Sequence, residues 1–255
     1  MKPMMLITGP VATRSGYGSH SRDLVRSLIS MDKFDIEINS LRWGNCPMNA
    51  LDDKNPDDKI IIDRIITNNK LERQPDIHVH ISVPNEFSIL GKFNIGVTAG
   101  MENTAPKAEW IQAMNRMDMN IVPSKFVKEI FERVTYDEIN EQTKQKSGEL
   151  KLNKPVEVLF EGLDTNIYKK TNKISDKFKN EMDNIKERFI FLYTGHWLQG
   201  NLGEDRKDTG MLLKTFLETF KNKPNPPALL MKTSGATFSI IDRNLEIRAS
   251  ESVIN

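Results

Sequence analysis

The sequence predicts an α/β protein with parallel sheets and right-handed crossovers. Three observations predict it: apolar runs of strand length, helical apolar patterns between them, and regular alternation of the two. The runs fall at residues 4–8, 36–41, 77–83, 94–98, 119–122, 156–160, 189–194 and 228–232. Most are unbroken, as strands buried on both faces of a parallel sheet are. Residues 4–8 read as a first strand and not a signal, because Gly9, Pro10 and Arg14 end the apolar run far short of the ~20 residues of a bilayer span.

Helical spacing appears in Leu24, Val25, Leu28 and Ile29; in Trp110, Ile111, Met114 and Met117; in Phe126, Ile130, Phe131 and Val134; and in Leu212, Leu213, Phe216, Leu217 and Phe220. Residues 136–154 are polar, with lysines set among glutamates and no apolar stripe, and read as a solvated insertion or frayed helix. A second polar stretch, 168–188, reads as a linker between a domain at 1–167 and another beginning at 189.

Composition narrows the function classes. An apolar fraction of 38% and a charged fraction of 28% suit a soluble globular chain. The net charge of +1 supplies no global field for nucleic acid or an anionic membrane. Cys46 is the single cysteine, so neither an intrachain disulfide nor a zinc site is indicated, and a reducing, cytoplasmic compartment fits.

Four segments carry chemistry. After the first strand, Gly16 and Gly18 flank Tyr17 at the start of a helix, where backbone N–H groups and the helix dipole favour a phosphate. An ordinary βα turn with a serine cap explains the same residues. A dinucleotide site competes for the loop, with Glu37 as the ribose acid, but Ser21 stands where that pattern needs its third glycine. His78 and His80 share one face of a strand near its carboxyl end, where a histidine is placed to orient an acceptor hydroxyl or a donor sugar, with His80 the catalytic candidate; one or both also read as hydrogen-bonded core histidines. No third residue completes a metal site with them. Glu102, just past another strand, either holds a sugar hydroxyl or acts as a base, or else caps the following helix.

As an ordered set these segments resemble the retaining glycosyltransferases built from two facing Rossmann domains, the GT-B fold, and especially their compact phage and bacterial forms. The carrying residues are Ser15-Gly16-Tyr17-Gly18 with Ser21-Arg22-Asp23-Leu24; Thr98-Ala99-Gly100-Met101-Glu102; Glu109-Trp110; Val122-Pro123-Ser124-Lys125-Phe126; Val158-Leu159-Phe160-Glu161-Gly162-Leu163-Asp164; and Arg206-Lys207 before Leu212-Leu213.

The resemblance implies an N-terminal Rossmann-like domain on the acceptor side and a second Rossmann-like domain, 189–255, that binds the donor. It implies hexose transfer from a nucleotide diphosphate sugar to a hydroxyl of a glycan, lipid or protein, with retention and without a required metal or cofactor. The Gly16, Tyr17 and Gly18 loop would face the donor phosphates, and Lys207 matches the family's phosphate-binding lysine. Where the family carries an arginine after the second domain's first strand, this chain has His196, which supplies that charge only when protonated, with Arg206 as the alternative. The family's paired glutamates would fall beyond Asn255. Glu141 with Glu149, and Glu149 with Glu157, repeat their spacing in the wrong domain. The expectation is therefore a C-terminally truncated enzyme with an incomplete second domain and little or no transfer activity alone. The rival classes are a catalytically inert nucleotide- or sugar-binding module, or a half-enzyme completed by another chain, and an NAD-type oxidoreductase.

Overall fold

The computed structural model describes residues 2–67, 71, 73–100, 104–140, 142–171, 173–197, 202–204 and 207–235. The chain divides into two compact units, Met1–Leu163 and Asp164–Asn255.

The first unit is α/β and compatible with a Rossmann-like fold. Its strands are β1 (Met4–Gly9), β2 (Asp35–Ser40), β3 (Ile77–Ile81), β4 (Phe93–Val97), β5 (Met119–Val122), the hairpin strands β6 (Thr135–Ile139) and β7 (Lys146–Lys151), and β8 (Val156–Val158). Six of them form one parallel sheet in the order β2-β1-β3-β4-β5-β8. An isolated parallel bridge from Ile65 to Ile38 adds a rudimentary position outside β2. Strand order reverses between β1 and β3, because the chain steps outward to β2 and then crosses back. In open α/β sheets the carboxyl ends of the strands at such a switch point form a crevice that binds ligands.

Helices α1 (Gly16–Ser30) and α2 (Pro56–Ile62) cover one face. There Met5, Ile7, Val25, Ile38, Ile61, Val79 and Ile81 are buried together, with Leu24, Leu28 and Ile29 packed on them. α1 and α2 are joined by Arg26, which reaches the buried carboxylate of Asp58. Helices α3 (Ala108–Met114) and α4 (Lys125–Arg133) cover the other face, where Phe87, Trp110, Ile111, Met114, Val122 and Phe131 form a second cluster. The spacing of Trp110, Ile111 and Met114 places all three on the buried side of α3.

The polar stretch 136–154 is not a frayed helix, and as an insertion it is solvated but ordered. It is an antiparallel hairpin of β6 and β7, with a register shift at Glu138/Ile139. Asn140 closes its turn by accepting from the amides of Gln142 and Thr143, as short polar side chains do in turns. The Tyr136 hydroxyl donates to the carbonyl of Pro106, and Tyr136, Leu150 and Leu152 pack on the second cluster. The apolar signal here has period 2, over Leu150 and Leu152, and is too short to stand out among the charges. Lys146 lies 2.6 Å from Asp137 and 2.7 Å from Glu149 on the exposed side.

The second unit holds α5 (Asp176–Asp183), inside the stretch that the sequence reads as linker, then β9 (Ile190–Trp197), α6 (Thr209–Phe220) and β10 (Ala228–Gly235). β9 and β10 pair in parallel across α6, which makes a βαβ unit. Phe191, Phe216 and Phe220 pack edge to face or tilted between sheet and helix. Among the described residues no helix is long and apolar enough to cross a membrane.

Gly96 in β4 shows how tightly the second face is closed: a Cβ there would stand 2.4 Å from the ring of Phe87 and 2.9 Å from Asn120 Oδ1. Gly96→Ala is therefore expected to cost about 1–3 kcal/mol through overpacking, measured by denaturant titration. An unchanged midpoint would show that the Phe87 ring moves aside freely.

Candidate functional site

The carboxyl edge of the first unit is built on the start of α1. Ser15 caps the helix, its Oγ accepting from the Gly18 amide at 2.9 Å, and Thr13 Oγ1 lies 2.8 Å from Ser15 Oγ. Arg22, one turn on, donates to the carbonyls of Val11 and Thr13. The loop after β1 is thus held from both sides. The two glycines have different reasons to be there. A Cβ on Gly18 would lie 2.3 Å from the Thr13 carbonyl and 3.0 Å from that of Pro10, so Gly18 lets the first helical turn settle onto the loop. A Cβ on Gly16 would meet nothing within 4 Å. Gly16 therefore borders open space, where a ligand can approach the first-turn amides.

Tyr17 turns toward the neighbouring strand ends. Its hydroxyl lies 3.1 Å from Thr98 Oγ1 and accepts from the Ala99 amide at 2.9 Å. Burial raises its pKa, and the nearby charges of Glu161 and Glu86 add to the rise. Glu161, in the chain leaving β8, also lies 3.6 Å from His20 of α1, and Glu86 accepts from the Ser82 hydroxyl. Two carboxylates thus lie near Tyr17 at this edge. Glu86 carries no motif, and only its place just after a strand hints at a role.

His78 and His80 belong to a buried polar layer on the sheet face opposite α1. The register aligns Thr8, His80, Gly96 and Asn120 across four strands. His78 Nε2 lies 2.9 Å from Thr8 Oγ1. His80 Nδ1 accepts from the Ser88 amide at 3.0 Å, which leaves the proton of the neutral ring on Nε2. That Nε2 is buried and has no hydrogen-bond partner among the described residues. Burial holds both imidazoles down to about 4. At neutral pH His80 is consequently an uncharged hydrogen-bond donor whose basic nitrogen is already occupied. It suits orienting a hydroxyl better than removing its proton.

In the second unit His196 lies in β9 near its carboxyl end, and Lys207 stands just before α6. In an α/β unit that is the ligand-binding end. Asp208 begins α6 in the left-handed region at φ 53. Tyr193 Oη lies 2.7 Å from Thr209 Oγ1, and Gly195 makes room for the Tyr193 ring, since a Cβ there would be 2.8 Å from the hydroxyl. A separate apolar depression of about 520 Å³, lined by Phe189, Phe191, Phe220 and Pro227, opens at the amino ends of β9 and β10, away from Lys207. Glu102 and Arg206 lie outside the described residues. Among the described residues no group of three or more His, Cys, Asp or Glu stands together as a metal site.

Comparison with known proteins adds no identity: no protein-family model and no curated protein matches the chain.

Two outcomes follow. Gly18→Ala should destabilise the unit by about 1–3 kcal/mol by forcing α1 off its loop, while Gly16→Ala should be neutral or stabilise by up to about 1 kcal/mol; thermal melts compare them, and equal effects would contradict the packing role given to Gly18. For the histidines, the folded state binds fewer protons than the unfolded state between pH 6.5 and about 4. Stability is then fully present above pH 6.5 and is lost as pH falls toward 4, with a slope of at most about 1.4 kcal/mol per pH unit for each histidine. His80→Gln should flatten that slope in urea melts run across the window, and an unaltered slope would sink the assignment.

Proposed function

We propose that this chain is a glycosyltransferase that moves a hexose from a nucleotide diphosphate sugar to an acceptor hydroxyl with retention. The observation that supports it most is the carboxyl edge at the β1/β3 switch point. There an open, capped helix start, a hydroxyl-rich strand edge and two carboxylates gather in the first unit.

The chemistry asks for those groups. The bond from the anomeric carbon to the diphosphate oxygen breaks as the acceptor oxygen bonds to that carbon, so negative charge grows on the departing diphosphate. Fixed N–H dipoles and cations aimed at that charge lower the barrier. In the first unit Gly16 and Tyr17 offer such amides at the start of α1; in the second unit Lys207 is the candidate cation, with Arg206, and His196 when protonated, as further ones. The carboxylates Glu86, Glu161 and Glu102 suit sugar hydroxyls, which donate to them. His80 Nε2–H, buried in the polar layer, is a hydrogen-bond donor that a hydroxyl or carbonyl oxygen meets only by entering that layer. In this reading the first unit serves the acceptor and the second the donor, and the chain needs no resident cofactor.

Calorimetric titration with UDP-, GDP-, ADP- and dTDP-hexoses tests the reading. At least one should bind, and Lys207→Ala and Gly16→Val should each weaken it by about tenfold, a step of 1.4 kcal/mol. Gly16→Val is a clean probe because the open space at that position leaves the fold intact while the side chain blocks backbone approach. Absence of binding by every donor contradicts the proposal. Binding without release of nucleoside diphosphate, over a panel of acceptors, would favour an inert sugar-nucleotide-binding module or a half-enzyme completed by another chain.

A further inference from the structure

Trp43 sits in the loop that follows β2, at the same carboxyl edge. That loop is pinned to the one after β1: the Leu41 amide donates to Gly9, the Arg14 amide to Pro47 and the Ala50 amide to Ala12, at 2.9–3.1 Å. Gly44, at φ +50, makes the turn after Trp43, closed by the Cys46 amide donating to the Trp43 carbonyl. The indole stacks on Tyr17 with ring centroids 4.2 Å apart and planes at 27°. Tyr17 is itself locked by Thr98 and Ala99. Yet Trp43 belongs to neither core cluster and is only half-buried. A large aromatic side chain held in one place outside the core keeps apolar surface available for something else.

The surroundings say what kind of ligand fits. Glu161 and Glu86 lie near enough to Tyr17 for their charges to act on its hydroxyl. Their negative charge disfavours a phosphate placed beside the Tyr17 hydroxyl, at the far end of that side chain from the first-turn amides. A neutral pyranose matches both features: its C–H face is apolar and suits an aromatic ring, and its rim of hydroxyls donates to carboxylates. The geometry points to the Trp43–Tyr17 stack, with Glu161 and Glu86 at its side, as a binding platform for a neutral hexopyranoside. That the bound sugar is the acceptor rests on the function proposed above; the platform itself does not.

Labelling the full chain with 5-fluorotryptophan tests this without a mutation, because the chain has 3 tryptophans and so 3 fluorine signals. The probes are methyl glucoside, galactoside and mannoside in both anomeric forms, with glucose 6-phosphate as the anionic control. At least one methyl hexoside should shift the Trp43 signal with a Kd in the millimolar range and leave Trp110 and Trp197 in place, and glucose 6-phosphate should bind more weakly. Trp43→Ala should weaken binding by about tenfold, whereas Trp43→Phe, which keeps an aromatic face, should stay within about threefold. No shift of Trp43 with any of these sugars, or equal affinity in Trp43→Ala, overturns the platform. Donor titrations run in parallel separate the two claims: donor binding without a hexoside response removes only the platform, and a hexoside response without donor binding removes only the transferase reading.

Discussion

The start of α1 lies so close to the carbonyls of Pro10 and Thr13 that only glycine fits at residue 18. From that contact the rest of the carboxyl edge takes its form. It sets the helix axis, and with it Ser15 at the cap, Gly16 beside open space, and Tyr17 directed at Thr98 and Ala99. Arg22 reinforces the same loop from the next turn. Arg14 then ties the loop after β2 to this frame through Asn49 and Pro47, which carries Trp43 to the Tyr17 ring. One steric requirement in a βα turn thereby orders three loops at the ligand-binding end of a sheet.

The second constraint is the polar layer beneath α3. Thr8, His78, His80, Asn94 and Asn120 are all buried on one sheet face, between apolar helices and apolar strand neighbours. Burying such groups costs free energy unless they are hydrogen-bonded, and several are: His78 with Thr8, His80 with Ser88, Asn94 with the amides of Leu90 and Gly91. His80 Nε2 and Asn120 Oδ1 have no partner among the described residues. A fold that keeps unmet polar atoms near a switch point retains a cost that a bound ligand or ordered water can offset.

Much of the fold was legible in the sequence because strands buried on both faces are written as unbroken apolar runs. Residues 119–122 and the cores of the other seven runs all lie in strands, and Trp110, Ile111 and Met114 mark the buried side of α3. The hairpin at Thr135–Lys151 was not legible, since only one side of it packs and its charges outnumber Leu150 and Leu152. α2 hid behind Asp57 and Asp58, although Asn55 and Pro56 are sound start signals. At the candidate site the glycines were visible, but their unlike roles were not: spacing does not tell a glycine facing open space from one pressed against two carbonyls. Glu86 and Trp43 carry no motif, and only the topology brings them to the edge that Gly16 occupies.

In the proposed function a sugar nucleotide meets the first unit at the carboxyl edge of the β1/β3 switch point. Backbone amide chemical shifts, recorded by ¹⁵N–¹H correlation while a nucleotide diphosphate hexose is added, test it most directly. Saturable shifts are expected at Gly16 and Tyr17, at the start of α1, with the outer residues of α4 and the β6–β7 hairpin unmoved. Shifts confined to the hairpin or to the outer face of α4, or none at a donor concentration that saturates binding by calorimetry, would contradict it.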